Sequence, residues 1–462
     1  MSYEVVVVGG GVGGLTAAAL LAARGVNVCL LERNSRVGGC VANFEHLGYA
    51  FEPTAGLYSG WEADGVYQRI FSDLPIGPPQ VDRLSPSFVV RLPDGVEVAV
   101  SDDMEHFDDR LRSAFPECSQ AAVAFYRLLD SIVGQSVANE PLASSMTDCS
   151  TRFRRFIDVQ LQTFTQTVSA QCSLQHAADV LTTPRRGMWA IRGGAQALAD
   201  VMAESLKKSG GSLRLNSPVL RLAYGSDGSP TGVDLLSGER VTATRAVVSN
   251  LTVWDTFGKL IGLSRTPASI SAQLRQTQSW GAYLLFLGMD RVAASRLSST
   301  RILAVTDWQE DQAYSADSAQ FVFASAPTWD ARAPEDKVAV TVSTFTRVED
   351  WFSFHQDETA HEEQDQATLE SLWMRLHAAM PELGDSIEVI ETATPRTFYE
   401  DTRRKLGMVG RPSARVKMPG PSELGTTIFP NVFVVGDTGS EASGLEGVSQ
   451  MALHLADLLH KK

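Results

Sequence analysis

The chain has 462 residues and a formal net charge of −14, with an ordinary globular mix of apolar and charged side chains. That length exceeds one compact core, so two domains, or one domain with a large insertion, are expected. The acidic balance argues against nucleic-acid binding and against attraction to anionic lipid by charge alone. No apolar run reaches membrane-spanning length, and the N-terminal apolar stretch lacks a basic leader and is broken by glycines, unlike a signal peptide. The five cysteines, Cys29, Cys40, Cys118, Cys149 and Cys172, are widely spaced with no CxxC pair. They fit a reduced, cytoplasmic compartment better than a disulfide framework. The histidines are scattered without an HExxH, so no metal site is expected.

The first element is VVVVGGGVGGLTAAALLAARGVNVCLLER, residues 5–33. Residues 3–8 predict a doubly buried strand of the parallel type. Gly9-x-Gly11-x-x-Gly14 follows, then a helix over Leu15–Arg24 closed by Gly25, then a strand over Asn27–Leu31 that delivers Glu32. Gly9 permits a tight turn, Gly11 lets backbone N–H groups approach a pyrophosphate, and Gly14 lets helix and strand pack closely. The helix N-terminus adds partial positive charge toward the phosphates, and Val12 and Gly13, in the loop leading into it, are further candidate cofactor contacts. Glu32 lies 18 residues past Gly14. It can accept hydrogen bonds from a ribose diol and disfavours a ribose phosphate, so the tight ligand should not be NADP. The competing reading is a glycine-rich turn in an unrelated βαβ unit. ERNSRVGGC then sets Arg33 after the acid and the pair Gly38-Gly39 a few residues on, either a plain turn or a second close approach of backbone to an extended dinucleotide.

Residues 87–100 predict a hairpin turning at Asp94-Gly95. Helices are expected over 103–114, 118–134, 152–180 and 365–380, and strands over 280–288, 301–307, 320–326 and 338–346, spaced like a mostly antiparallel sheet. In TRFRRFIDVQLQTFTQTVSAQ, residues 151–171, Arg152, Arg154 and Arg155 stand beside Phe153, Phe156 and Phe164. Such a helix suits peripheral membrane contact or a core position with a solvated charged edge; its modest amphipathicity favours the core.

At the C-terminal end, a strand over Val432–Val435 leads to Gly436-Asp437, a loop, and a helix from about Leu445. Asp437 is placed to accept hydrogen bonds from a ribityl chain. The helix, through Gly447 and Val448, would aim its N-terminus at a flavin pyrimidine edge, where negative charge develops on reduction. These features favour FAD over NAD. Ser443-x-x-Glu446 reads as a capping box, a simpler account of Glu446 than catalysis. No second GxGxxG occurs, so a separate nicotinamide domain is not expected.

The stretches GGGVGGLTAAALLAARG, ERNSRVGGCVANFEHLGYAFEPTAG and FPNVFVVGDTGSEASGLEGV resemble the phytoene desaturase, carotenoid isomerase and retinol saturase flavoproteins, within the wider amine-oxidase-like fold. The middle stretch from WAIRGGAQALADVM to AVVSN resembles that group's second FAD segment, in which the residue matching Val219 touches the adenine side through its backbone. The resemblance is close in these segments and loose between them. Cys40 departs from it, since relatives commonly carry Arg or Ser there, which puts any cofactor contact by that side chain in doubt. The fold implied is α/β: a Rossmann-like FAD-binding domain with an inserted α+β substrate domain. FAD-binding segments would be 1–74, 189–254 and 421–462, and substrate-domain parts 75–188 and 255–420.

The function implied is FAD-dependent hydride exchange with an apolar polyene or isoprenoid: desaturation, saturation or cis–trans isomerisation. No acid, base or nucleophile stands out by spacing, so no catalytic side chain is named. One alternative is a flavin amine or amino-acid oxidase, although nothing aromatic follows Phe433 to frame a flavin. Another is a non-catalytic prenyl-binding escort like the Rab GDP-dissociation inhibitors, which resemble this fold without the cofactor. An escort has no use for Gly9, Gly11, Gly14, Glu32 and Asp437 together.

Overall fold

The computed structural model describes residues 2–135, 140–276, 279–306, 313–352, 357–408, 410, 429, 431–438 and 444–460. The Ser443 half of the expected capping box lies outside them.

The first strand is Ser2–Val8, and its Val5–Val8 run is buried on both faces. A helix over Val12–Ala23 follows directly, starting three residues earlier than the glycine spacing suggested. Eleven of its residues are buried. Its small side chains let the helices Ala195–Lys208 and Gly444–His460 pack against it. Gly25, at φ +83°, turns the chain back into Val28–Leu31.

These strands belong to a seven-stranded sheet. Val432–Val434, Arg240–Ser249, Ser2–Val8, Val28–Leu31 and Ser212–Arg214 run parallel. Val219–Tyr224 and Pro230–Leu235 extend the sheet as an antiparallel meander onto the first half of Arg240–Ser249. The register matters more than the order. Val8 pairs with both Leu31 and Ser249, and Ser249 with Val434, so four parallel strands end in one row. Such a row of carboxyl ends is where open α/β sheets bind ligands.

A second seven-stranded sheet runs Ile387–Ala393, Trp280–Asp290, Lys337–Arg347, Gln320–Ser325, Arg301–Val305, Phe88–Arg91, Glu97–Val100. It is antiparallel except where Arg301–Val305 meets Phe88–Arg91. The hairpin at Asp94-Gly95 and the four expected strands are present. Ile387–Ala393 was not expected: it is an edge strand with little buried surface and carries Glu388 and Glu391.

The helix expected over 152–180 is two helices, Thr151–Thr165 and Leu174–Arg186. Gln166 breaks it by adopting the left-handed conformation, φ +54°. Phe153 and Phe156 are fully buried among Phe115, Phe125 and Tyr126. The neighbouring arginines are tied within the protein: Arg152 to Asp94, Arg154 to the Met146 carbonyl, Arg155 to Asp158. This helix is core. Among the described residues no helix is long and apolar enough to cross a membrane.

Candidate functional site

The row of strand ends assembles the site. One residue beyond each end stand Gly9, Glu32, Asn250 and Val435, with Gly436-Asp437 next. In the loop after the first strand and in the first turn of the helix, glycines stand where a Cβ would meet neighbouring groups or the backbone adopts positive φ. A Cβ on Gly14 would collide with the Gly9 carbonyl, and one on Gly13 with the Val435 carbonyl. A Cβ on Gly11 would stand 2.8 Å from Asn250 Nδ2. Gly9 itself sits at φ +103°, a conformation side chains resist. The N-terminal and C-terminal segments therefore meet, backbone against backbone. Val12 and Val448 are buried beside this contact, and a Cβ on Gly13 would touch Val448 at 3.5 Å. Gly447 and Val448 lie in the first turn of the C-terminal helix, and Gly436 packs on the Leu251 carbonyl.

The second glycine pair is more than a turn. Gly38 donates its N–H to the Gly10 carbonyl at 2.9 Å and bridges Gly11. Gly39 brings its Cβ position within 3.3 Å of Gly11 Cα. Both have positive φ.

Glu32 is 6% exposed. Its carboxylate accepts from the Gly10 N–H at 2.6 Å and from the Asn34 N–H at 2.8 Å, which holds it across the glycine loop with further lone pairs free for a ligand. Val219 opens its strand nearby: Ser217, two residues earlier, donates its N–H to the Glu32 carbonyl at 2.8 Å. Arg33 follows the acid, and its buried Nη1 has no hydrogen-bond partner among the described residues.

Two residues of this site were missed by sequence reasoning. Asn250 donates through Nδ2 to the Gly9 carbonyl at 3.3 Å and braces the glycine loop from the neighbouring strand; the N of VVSN was its signal. Arg404 comes from a distant segment and has no motif. Its side chain is 11% exposed and forks onto both Asp437 oxygens at 2.7 and 2.6 Å, with Nη1 3.0 Å from Cys40 Sγ. Burial works to lower the Arg404 pKa, but the Asp437 carboxylate and the Cys40 sulfur outweigh it and hold the pKa above the ordinary arginine value. Burial likewise pushes the Cys40 thiol up.

Glu446, in the first turn of the C-terminal helix, accepts a hydrogen bond from the Ser59 hydroxyl. Tyr283 and Trp351 are fully buried in the core of the antiparallel half, where Tyr283 donates to Asp365 at 2.6 Å. Tyr399 packs edge-on against Phe352.

A hub of buried charge joins the two halves. Glu52 accepts from the Tyr58 hydroxyl, from the Ala195 N–H at 2.8 Å and from Arg332 Nη1 at 3.4 Å, while Thr341 donates to its carbonyl at 2.9 Å. Arg332 also pairs with Asp330 at 2.9 Å, and Asp330 accepts from the Gly193 N–H. Arg301, 1% exposed, donates to the Gly56 carbonyl at 2.9 Å, and burial lowers its pKa to about 10. Among these groups lies a cavity of about 10 Å³, room for one water.

The site fits an extended dinucleotide. Its loop is bare where Cβ atoms would intrude, a buried acid stands at one end, and guanidinium nitrogens at Arg33 and Arg404 lie buried without partners among the described residues. Among the described residues no cluster of three or more His, Cys, Asp or Glu side chains could hold a metal ion. The five cysteines form no disulfide.

Comparison with known proteins agrees with this geometry. The model of the flavin-containing amine oxidoreductases matches residues 12–448. Prolycopene isomerase of Daucus carota is 25% identical over 497 residues, covering 97% of this chain and 78% of that protein. The all-trans-retinol 13,14-reductase of Danio rerio is 25% identical over 457 residues, covering 85% and 75%. Among solved structures, an oxidoreductase from Methanosarcina mazei superimposes with a TM-score of 0.71 at 16% identity, covering 99% of this chain and 100% of that one. The fold is thus the α/β fold of an FAD-binding domain with a substrate domain, and the chain belongs to the flavin-containing amine oxidoreductase family, with FAD as its cofactor.

Proposed function

We propose that this protein exchanges hydride with an apolar isoprenoid polyene, as a desaturase, saturase or cis–trans isomerase. The observation that carries the reading is the similarity across nearly the whole chain to proteins named for prolycopene and retinol, both isoprenoid polyenes. The placement of Tyr283 and Trp351 in the core supports it against amine oxidation, because neither is left to frame a flavin.

Bound FAD supplies hydride exchange at N5 with a substrate carbon. The protein's part is to hold and orient. Val12, Gly13 and Gly14 would present the amides of the helix N-terminus to the pyrophosphate, the bare backbone of Gly9 and Gly11 would let it come close, and Gly38-Gly39 would close over them. Glu32 accepts from the ribose hydroxyls, Arg33 lies beside it, and the Val219 backbone borders the adenine. Gly436 and Asp437 take the ribityl side. The helix over Gly444–His460, through Gly447 and Val448, directs its positive end toward the pyrimidine edge. On the same reading the chain divides at 74, 188, 254 and 420, with 75–188 and 255–420 forming the substrate domain that excludes water over the flavin. We place the protein in the cytoplasm.

The test is to incubate the purified protein with candidate polyenes under oxidised and under chemically reduced flavin conditions and identify the products. New, lost or re-oriented double bonds separate the three chemistries. Unchanged polyenes together with peroxide release from amines would overturn the proposal, as would a colourless protein that ignores added FAD.

A further inference from the structure

We infer that Arg404 is the cation that the FAD pyrophosphate meets, supplied by the segment after the Pro395–Thr402 helix instead of by the residue after the glycine pair. The inference rests on the FAD seat proposed above. Position 40 begins against the phosphate loop, because a Cβ on its neighbour Gly39 would stand 3.3 Å from Gly11 Cα and the Gly38 N–H donates to the Gly10 carbonyl at 2.9 Å. The side chain there is a thiol, which burial keeps protonated and neutral. Asp437, which follows Gly436 at the strand end, stands within reach of the Arg404 guanidinium.

Arg404 spans the interval, with Nη1 on Cys40 Sγ at 3.0 Å and Nη2 on Asp437 at 2.6 and 2.7 Å. Its Nε is buried with no partner among the described residues. A guanidinium has five N–H donors in one plane, so donors remain for a further anion. A pyrophosphate brings two negative charges beside the Asp437 carboxylate. Backbone amides and helix ends offer only partial charges against them, and a full positive charge held between positions 40 and 437 offsets the repulsion. Arg404 is a positioning residue for the cofactor, and the segment that carries it becomes part of the cofactor seat.

The rival reading is a mechanical latch between that segment and Asp437. FAD titration of the apoprotein, followed by flavin fluorescence, separates the two. Arg404→Gln is expected to weaken FAD binding by roughly ten- to a hundredfold, the usual effect of losing a hydrogen bond to a charged group. Adding Cys40→Arg to that variant should recover most of the loss, because the charge returns to the same place from the other wall. Arg404→Lys, which keeps the charge but loses the planar fork and serves if the glutamine variant does not fold, should bind FAD more weakly than the parent protein and more tightly than Arg404→Gln. Unchanged FAD affinity in Arg404→Gln, no recovery with Cys40→Arg, or an Arg404→Lys protein as weak as the glutamine variant would each overturn the inference. FAD affinity is read whether or not any polyene is turned over, so failure here and failure of the proposed reaction are distinguishable.

Discussion

The two halves of the molecule are held together by opposite means. At the row of parallel strand ends the contacts are made by what is missing: Gly11, Gly13, Gly14 and Gly39 bring peptide against peptide with no side chain between. At the junction with the antiparallel sheet they are made by long charged side chains, Glu52, Arg332, Asp330 and Arg301, all less than 10% exposed. The first arrangement leaves bare backbone and a buried acid for a ligand. The second pairs its charges with one another around a cavity with room for one water. The difference separates a binding surface from a structural joint, although both are buried, polar and well ordered in register.

Mutation should break the comparison most sharply at the joint. Glu52→Ala leaves Arg332 and the Ala195 N–H without their carboxylate and is expected to cost about 3–5 kcal/mol of stability, read by urea denaturation. Glu52→Gln keeps the shape and should cost less. On the glycine side, Gly14→Ala forces a Cβ onto the Gly9 carbonyl. The expected cost is about 1–3 kcal/mol, with a clear loss of FAD affinity by fluorescence titration. Gly25→Ala is its control. Position 25, unlike 14, has positive φ, with open space around it, so it should lose about 1 kcal/mol with FAD affinity unchanged.

The last effect appears only at alkaline pH. Burial pushes Cys29 and Cys149 up to about 11 and Cys172 up to about 12, from 9.0. Below pH 9 these thiols are protonated in both folded and unfolded chains and have no influence on the balance. Above pH 9 the unfolded chain releases protons that the folded chain retains, so stability declines until the folded values are passed. Each thiol contributes a slope of up to about 1.4 kcal/mol per pH unit. Denaturation of Cys172→Ala between pH 9 and 12 should show a shallower decline than the parent protein; an identical slope would refute the assignment.

The same contrast explains what the sequence made legible. The glycine loop, its flanking strands and Glu32 are separated by short, regular intervals, and each residue type has a single plausible use there. The hairpin at Asp94-Gly95 was visible for the same reason. Gln166 was not, because glutamine carries no breaker signal and its left-handed turn is imposed by tertiary packing. Ile387–Ala393 was missed because an exposed edge strand with two glutamates shows little apolar alternation. Arg404 sits in TRRK, which looks like a solvated charge run, and its partners Cys40 and Asp437 are far away in the chain. Long-range ion pairs leave no local pattern.

The Glu52 joint has one more consequence. Its carboxylate caps a helix of the dinucleotide half through Ala195, while its own peptide oxygen is claimed by Thr341 on the other sheet. Cutting the protein into its two sheets would strand an ion on one side and its counter-ions on the other. Neither piece is an independent module, and any recombinant fragment meant to bind the cofactor alone would need this acid neutralised first.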